Sequence, residues 1–458
     1  MSDPTDGQPP PQRYWAIATV ALGITMSVLD SAIANVALPT IARHLQTSAA
    51  FSIWVVNGYQ LAITISLLPL ASLGDIVGYR RIYLTGLALF TLASLACALS
   101  HTFVLLALAR VLQGFGAAGI MSVNTALIRY IYPRRMLGRG IGINAVVVAI
   151  SAAAGPTIAS GILSVASWPW LFAVNVPIEI AALLIGSRAL PTNPCAPHRF
   201  DFASAGLSAA SFGLLIAGID AAGHGAAAYL IVAELVLALV CGALLVRREH
   251  GRPAPLFPLD LLGIPMFALS VATSVCSFAA QMLALVALPF RFQLQFGYSA
   301  VETGLLITPW PLAIAVAAPI AGRLADRYPA GLLGGAGLLV FAAGLFSLAV
   351  LPHQPEFQDV AWRMVVCGLG FGFFQSPNNR ALIASAPRSR SGGASGMLGT
   401  ARLLGQTTGA ALVALLFGRL PAQATIAALY IAAALALMAA GVSSLRLFQK
   451  TPASDAFA

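Results

Sequence analysis

Apolar runs of roughly 18–28 residues follow one another from residue 14 to residue 447, with almost no charge inside them. At ~1.5 Å rise per residue, about 20 helical residues cross the ~30 Å hydrocarbon core of a bilayer. Fourteen such runs are predicted as helices: 14–38, 51–73, 81–99, 102–127, 139–166, 169–190, 201–220, 228–247, 266–292, 301–324, 331–351, 358–385, 394–418 and 424–447. Hydrocarbon offers no partner for backbone amides, which restricts such runs to helices. An all-α polytopic membrane protein is therefore expected, and a soluble enzyme is excluded. Composition agrees: 59% of residues are hydrophobic and 9% charged, about a third of the usual charged fraction.

The net charge of +10 would suggest nucleic acid in a soluble chain. Here the arginines sort into alternate connections instead: Arg80 and Arg81, Arg129 to Arg139, Arg188 and Arg199, Arg247 to Arg252, Arg323 and Arg327, Arg380 to Arg390. The intervening connections hold Arg43, Arg291 and Arg419. By the positive-inside rule both termini are cytosolic, and no nucleic-acid partner is implied. Residues 1–13, Pro-rich and polar, read as a disordered cytosolic tail, and 448–458 as a second tail. The five cysteines have no metal-ligand spacing, and the six histidines fall in connections or near helix ends. No metal, no cofactor and no catalytic constellation is expected. Without a phosphate-cradling Gly-rich loop followed by Lys, ATP is not the expected energy source.

The chain also repeats itself. Ser299-Ala300 lies 251 positions after Ser48-Ala49, and Asp326 lies 251 positions after Asp75; Arg363 follows Arg110 by 253. Two parallel six-helix halves, 14–190 and 266–447, are predicted, with the pair 201–247 inserted between them.

Asp30 is the only charged residue between Arg13 and Arg43 and sits inside the run Trp15 to Leu38. An ionised carboxylate at that depth costs roughly 2.5–3.5 kcal/mol, so it is either satisfied by neighbouring helices or faces a polar cavity and exchanges a proton. Arg110 stands in a later run with Gln113 on the next turn, and Glu179 is a further acid at membrane depth. Each has a structural alternative. Trp54, Tyr59 and Trp310 sit on runs related by the repeat and form either an amphipathic, cation-binding wall or ordinary core. Gln281, Gln375, Asn378 and Gln406 are pore groups or helix-to-helix hydrogen bonds. Asp220, Glu302 and Asp260, near helix ends, read as solvated caps.

The segment Leu73-Gly74-Asp75-Ile76-Val77-Gly78-Tyr79-Arg80-Arg81 resembles the loop signature of the major facilitator superfamily, with Ala71 for its first Gly and Tyr79 for one Arg. Gly322-Arg323-Leu324-Ala325-Asp326-Arg327 fits the second copy. Leu29-Asp30-Ser31 through Pro39, Arg110-Val111-Leu112-Gln113-Gly114, and Gly155-Pro156 with Ala159, Ser160 and Gly161 resemble motifs of the fourteen-helix drug:proton antiporters of the EmrB/QacA type. Trp168 to Phe172 and Asn175-Val176-Pro177 fit the same branch. Two departures stand out: Glu179 replaces a usually small residue, and Arg419 to Thr425 is a short turn where many relatives carry a long loop.

The resemblance implies a major facilitator fold with two six-helix bundles, alternating access, and residence in the bacterial cytoplasmic membrane. It implies proton coupling through Asp30, Arg110 and Glu179, and a cytosolic gate of Gly74, Asp75, Gly78, Arg80 and Arg81 with Gly322, Asp326 and Arg327, pairing across the halves. Gly155, Pro156 and Gly161 become the antiporter motif. The expected function is export of amphipathic, cationic drugs by proton antiport, as a monomer whose partners are substrate, protons and lipid. Export of a metabolite or siderophore is the alternative within transport, and a non-coupled channel or scaffold is the alternative outside it. An outer-membrane efflux partner is left open.

Overall fold

A computed structural model describes residues 7–133, 136–193, 195, 200–223, 226–250, 257–352, 355–387 and 390–449. Among these, thirteen helical segments are long and apolar enough to cross a membrane. The run predicted at 358–385 is also a helix, Phe357–Ser385, of 29 residues. It falls outside the thirteen because Asp359, Arg363, Gln375, Asn378 and Arg380 dilute its apolar character.

The chain forms two compact units. The first holds Met1–Leu256 together with Leu285–Thr308 and Ala410–Thr425; the second holds Phe257–Ala284, Pro309–Gly409 and Ile426–Ala458. Compactness therefore does not simply follow the two sequence halves.

In the first unit the long helices are α1 (Gln12–His44), α3 (Trp54–Val77), α4 (Tyr79–Ala98), α5 (Phe103–Ile131) and α6 (Leu137–Val165). One-turn helices α2 (Ala49–Ser52) and α7 (Trp170–Ala173) precede α3 and α8 (Asn175–Ala189). The turn between α3 and α4 is made by Gly78, whose φ of +103° strains any side-chain-bearing residue. Segment 7–13, expected to be disordered, is docked instead: the Gln8 amide N–H donates to the Ile131 carbonyl at 3.0 Å and its side chain to the Ala189 carbonyl at 2.9 Å. Those carbonyls end helices and lack intrahelical donors, which is what the tail supplies. Residues 1–6 lie outside the described residues.

The pair α9 (Phe202–Gly223) and α10 (Ala228–Glu249) also belongs to this unit. Ser204 clasps the two by donating to Glu249, and Arg248 pairs with Asp201 at 3.1 Å. Asp220, expected to be a solvated cap, accepts the Trp54 indole N–H at 3.0 Å and so joins α9 to α3.

Two pieces of the second sequence half complete the unit. The short helix α12 (Ala300–Ile307) carries a capping box in which Ser299 and Glu302 satisfy each other's backbone, so Glu302 is the cap expected. It seats on α6 so closely that a Cβ on Gly304 would lie 2.6 Å from the Pro156 carbonyl. Before it, the helix α11 (Pro265–Phe290) ends in a π-helical turn, Arg291–Gln295, where Gln293 donates to the Val36 carbonyl at 2.9 Å.

The second unit contains α13 (Pro309–Leu324), α14 (Ala330–Ala349), α15 (Phe357–Ser385), most of α16 (Ser391–Arg419) and α17 (Ala424–Leu445). Its packing repeats that of the first. A Cβ on Gly114 would meet the Tyr59 carbonyl at 2.5 Å, and one on Gly368 would meet the Trp310 carbonyl at 2.2 Å. Likewise Gly116 seats on the Phe90 amide and Gly370 on the Phe341 amide, at 2.5 and 2.4 Å. Glycine at these points lets backbones touch, where a methyl group would push the helices apart. The 251-residue repeat is thus a repeat of helix contacts as well as of letters.

Candidate functional site

The first unit buries a polar cluster. Asp30 on α1 is 1% exposed, and Arg110, Gln113, Asn175 and Glu179 are 0% exposed. Arg110 Nη1 pairs with Asp30 Oδ2 and also donates to Gln113 Oε1 at 2.5 Å. Gln113 Nε2 donates to Asp30 Oδ1 at 3.0 Å, and Asn175 Nδ2 donates to the same oxygen at 3.0 Å. Both oxygens of Asp30 accept hydrogen bonds, so this carboxylate is held by α5 and α8 at once.

Spacing explains the convergence. Arg110 and Gln113, three apart on α5, share a face, as do Asn175 and Glu179, four apart on α8. Arg110 Nε donates to the Val55 carbonyl at 2.8 Å, and its guanidinium lies 4.2 Å over the Tyr59 ring. Tyr59 donates its hydroxyl to the Ser27 carbonyl at 2.9 Å. Gln113 also reaches Ser94 on α4 at 2.9 Å. Five helices therefore meet on one ion pair.

Two groups in the cluster keep polar atoms outside any well-formed hydrogen bond. Arg110 Nη2 has no partner, and neither oxygen of Glu179 is in a well-formed hydrogen bond. Glu179 is close enough to Asp30 to feel its charge. An acid held by three donors thus stands beside one without a well-formed hydrogen bond.

Several sequence expectations change. Tyr59 is not a free pore wall: the cation on its face is Arg110. Trp54 is engaged by Asp220 rather than presented to a ligand. Trp310 is 1% exposed in the second unit, edge-on to Phe341 at 5.6 Å, because the repeat places it under Gly368 as core. Asn378 is a helix tie: it donates to Ser274 Oγ at 2.8 Å and accepts from Arg446 at 2.7 Å. Gln281, Gln375 and Gln406 are half-buried.

The loop motifs pair within each unit. Asp75 accepts from Tyr79, the residue that replaces a family Arg, and Arg80 donates to the Ser187 carbonyl. Asp326 pairs with Arg380, both exposed. Arg81 and Arg327 are exposed, and a Cβ on Gly74 or Gly322 would lie 2.8 Å from Val123 or 3.1 Å from Ser376. Within each unit these acids and arginines meet local partners.

In the antiporter motif, a Cβ on Gly155 would sit 2.5 Å from the Ala32 Cβ, so α6 touches α1 two residues from Asp30. The Pro156 carbonyl accepts from Ser160, which also donates to the Val301 carbonyl at 2.9 Å. Gly161 has open space around it. Ser160 makes the bond to the start of α12.

Sequence reasoning missed Asn175 as a site residue and missed Arg402 altogether. Both are polar residues inside apolar runs, the same signal that singled out Asp30. Among the described residues no group of three or more His, Cys, Asp or Glu is placed to hold a metal.

The chain matches the model of the Major Facilitator Superfamily over residues 20–410, with a second match over 270–457. It is 59% identical to the uncharacterized transporter YebQ of Escherichia coli (strain K12), covering 97% of this chain and 98% of that protein. The riboflavin transporter RibZ of Clostridioides difficile is 30% identical, with 89% of each chain covered. The multidrug resistance protein Stp of Mycobacterium tuberculosis is 33% identical, covering 88% of this chain and 75% of that protein. A crystal structure of a peptide transporter, POT, superposes with a TM-score of 0.72 at 14% identity over 94% of both chains. With its all-helical fold and many candidate spans, the chain belongs to the Major Facilitator Superfamily, as a multi-pass transporter of the bacterial cytoplasmic membrane.

Proposed function

We propose that the chain is a secondary active exporter of amphipathic organic compounds, driven by proton antiport through the Asp30 cluster with alternating access. The observation that carries this reading is the Asp30–Arg110 pair, buried at both ends in the centre of five helices. A buried ion pair is a poor stabiliser, since desolvation offsets most of its attraction. As a switch it is effective: a proton on Asp30 removes the charge that holds Arg110, and α1 is released from α5 and α8. Glu179 is the second proton site, and Arg110 tunes both acids.

The fourteen-helix EmrB/QacA branch is the finer placement, supported by the first-, fourth- and fifth-helix motifs and by the similarity to Stp. On this reading α15 is the fourteenth span, both termini are cytosolic, and 201–247 is inserted between two six-helix bundles. The chain acts as a monomer, without catalysis and with substrate, protons and lipid as partners. Gln281, Gln375 and Gln406 remain the pore groups. The aromatic basis for a cationic substrate is weaker, because Tyr59, Trp54 and Trp310 are spent on other contacts. The similarity to RibZ favours a second reading, a metabolite as cargo of the same machinery.

Everted membrane vesicles with an acid interior test the proposal on a panel of ethidium, rhodamine 123, rhodamine 110 and riboflavin. Accumulation of at least one compound, collapsed by a proton ionophore and absent with Asp30→Asn, is expected. Accumulation that survives the ionophore, or none for any compound, contradicts it.

A further inference from the structure

Arg402 is a cation in the second unit that the coupling cluster does not use. It lies within the 29-residue helix α16, Ser391–Arg419, about 17 Å from the helix start, which is mid-membrane depth. It is half-buried, and its Nε is buried without a hydrogen-bond partner. Among the described residues no salt bridge or side-chain hydrogen bond reaches it.

Other arginines at membrane depth or near it are answered. Arg110 has Asp30, and Arg363 has Asp359 one turn away. Arg446, buried near the end of the chain, is satisfied by Ser270, Asn378 and Ser443. Among the described residues, no carboxylate or carbonyl answers Arg402. Its backbone is nevertheless held firmly. One turn on, a Cβ on Gly405 would be 2.5 Å from the Val275 carbonyl, and one on Gly409 would be 2.5 Å from the Ala279 carbonyl. These contacts lock α16 onto α11, while Gln406, four residues from Arg402, shares its face and is also half-buried.

An uncompensated charge at this depth is expensive, and such residues mark substrate paths. A guanidinium is a permanent cation whose planar fork matches the two oxygens of a carboxylate. We infer that Arg402 is the receptor for an acidic group on the transported compound, with Gln406 donating from the next turn. The inference rests on the transporter reading above and names its substrate class: an amphipathic acid or zwitterion. A lipid phosphate offers the same chemistry, but headgroups lie at the membrane surface rather than at mid-helix depth.

Rhodamine 110 and rhodamine 123 share one ring system and differ in that the first carries a free carboxylate where the second carries its methyl ester. Their binding to the purified full-length chain in neutral detergent, followed by fluorescence anisotropy without any gradient, reads the inference separately from proton coupling. The wild type is expected to prefer rhodamine 110 by about tenfold or more, the loss expected for one charge-assisted hydrogen bond. Arg402→Gln should erase the preference, chiefly through weaker binding of rhodamine 110. If that variant fails to fold, the wild-type preference decides alone. Equal binding of the two dyes by the wild type, or a preference that survives Arg402→Gln, overturns the inference. Displacement of rhodamine 110 by phosphatidylglycerol but not by benzoate assigns the site to lipid and overturns it too; displacement by benzoate supports it.

Discussion

The guanidinium of Arg110 lies 4.2 Å above the ring of Tyr59, so the aromatic face that could greet a cationic substrate already holds a cation of the chain's own. Tyr59 is fixed in turn by its hydroxyl bond to the Ser27 carbonyl. Tyr59→Phe should keep the stacking and lose about 1 kcal/mol for the hydrogen bond. Tyr59→Leu should lose a further ~1–2 kcal/mol as the cation–π contact goes. Thermal unfolding of the two variants in detergent separates these contributions.

Breaking the ion pair from one side leaves a buried charge. Asp30→Asn and Arg110→Gln are each expected to destabilise the chain by roughly 3–5 kcal/mol, and the double substitution by clearly less than their sum. A double-mutant cycle on unfolding midpoints checks this, and strict additivity would mean that the two side chains do not interact.

Neither oxygen of Glu179 makes a well-formed hydrogen bond. Glu179→Gln keeps the side chain's shape and should still fold, at a cost of about 1 kcal/mol or less. As the second proton site, its loss should lower the number of protons exchanged per substrate, measured as a shift in the voltage at which net transport reverses. An unchanged reversal voltage assigns coupling to Asp30 alone.

Helix α12 is seated on α6 by Gly304, where any larger residue meets the Pro156 carbonyl. Gly304→Leu should cost about 1–3 kcal/mol through overpacking and stop transport while the protein still reaches the membrane. Ser160→Ala removes the hydroxyl that donates to the Val301 and Pro156 carbonyls and should cost about 1 kcal/mol with transport retained. Vesicle uptake and melting temperature distinguish the two.

Much of this fold was legible because membranes permit few solutions. Run length located the helices, and the Asp75 and Asp326 copies located the repeat that recurs in the glycine contacts of Gly114 and Gly368. The Phe357–Ser385 helix was found from its pattern although its polar residues dilute it. The site was legible in part: Asp30, Arg110 and Gln113 were each visible as polar residues in apolar runs. Their mutual bonding was not, because it depends on the rotation of α5 about its axis, which a run of apolar letters leaves undetermined. The same ignorance of helix rotation made Tyr59 and Trp310 look like cavity walls. Gln8 was misread for a different reason, since its partners are carbonyls at the ends of distant helices.

The central claim is that proton movement and substrate movement are obligatorily joined at Asp30. Proteoliposomes holding a pH-sensitive dye, given an outward gradient of a compound found transported in the vesicle assay, measure this directly. The account predicts proton entry during substrate exit by the wild type, and none with Asp30→Asn, while that variant still exchanges labelled for unlabelled substrate at equilibrium. Undiminished proton entry with Asp30→Asn would contradict it.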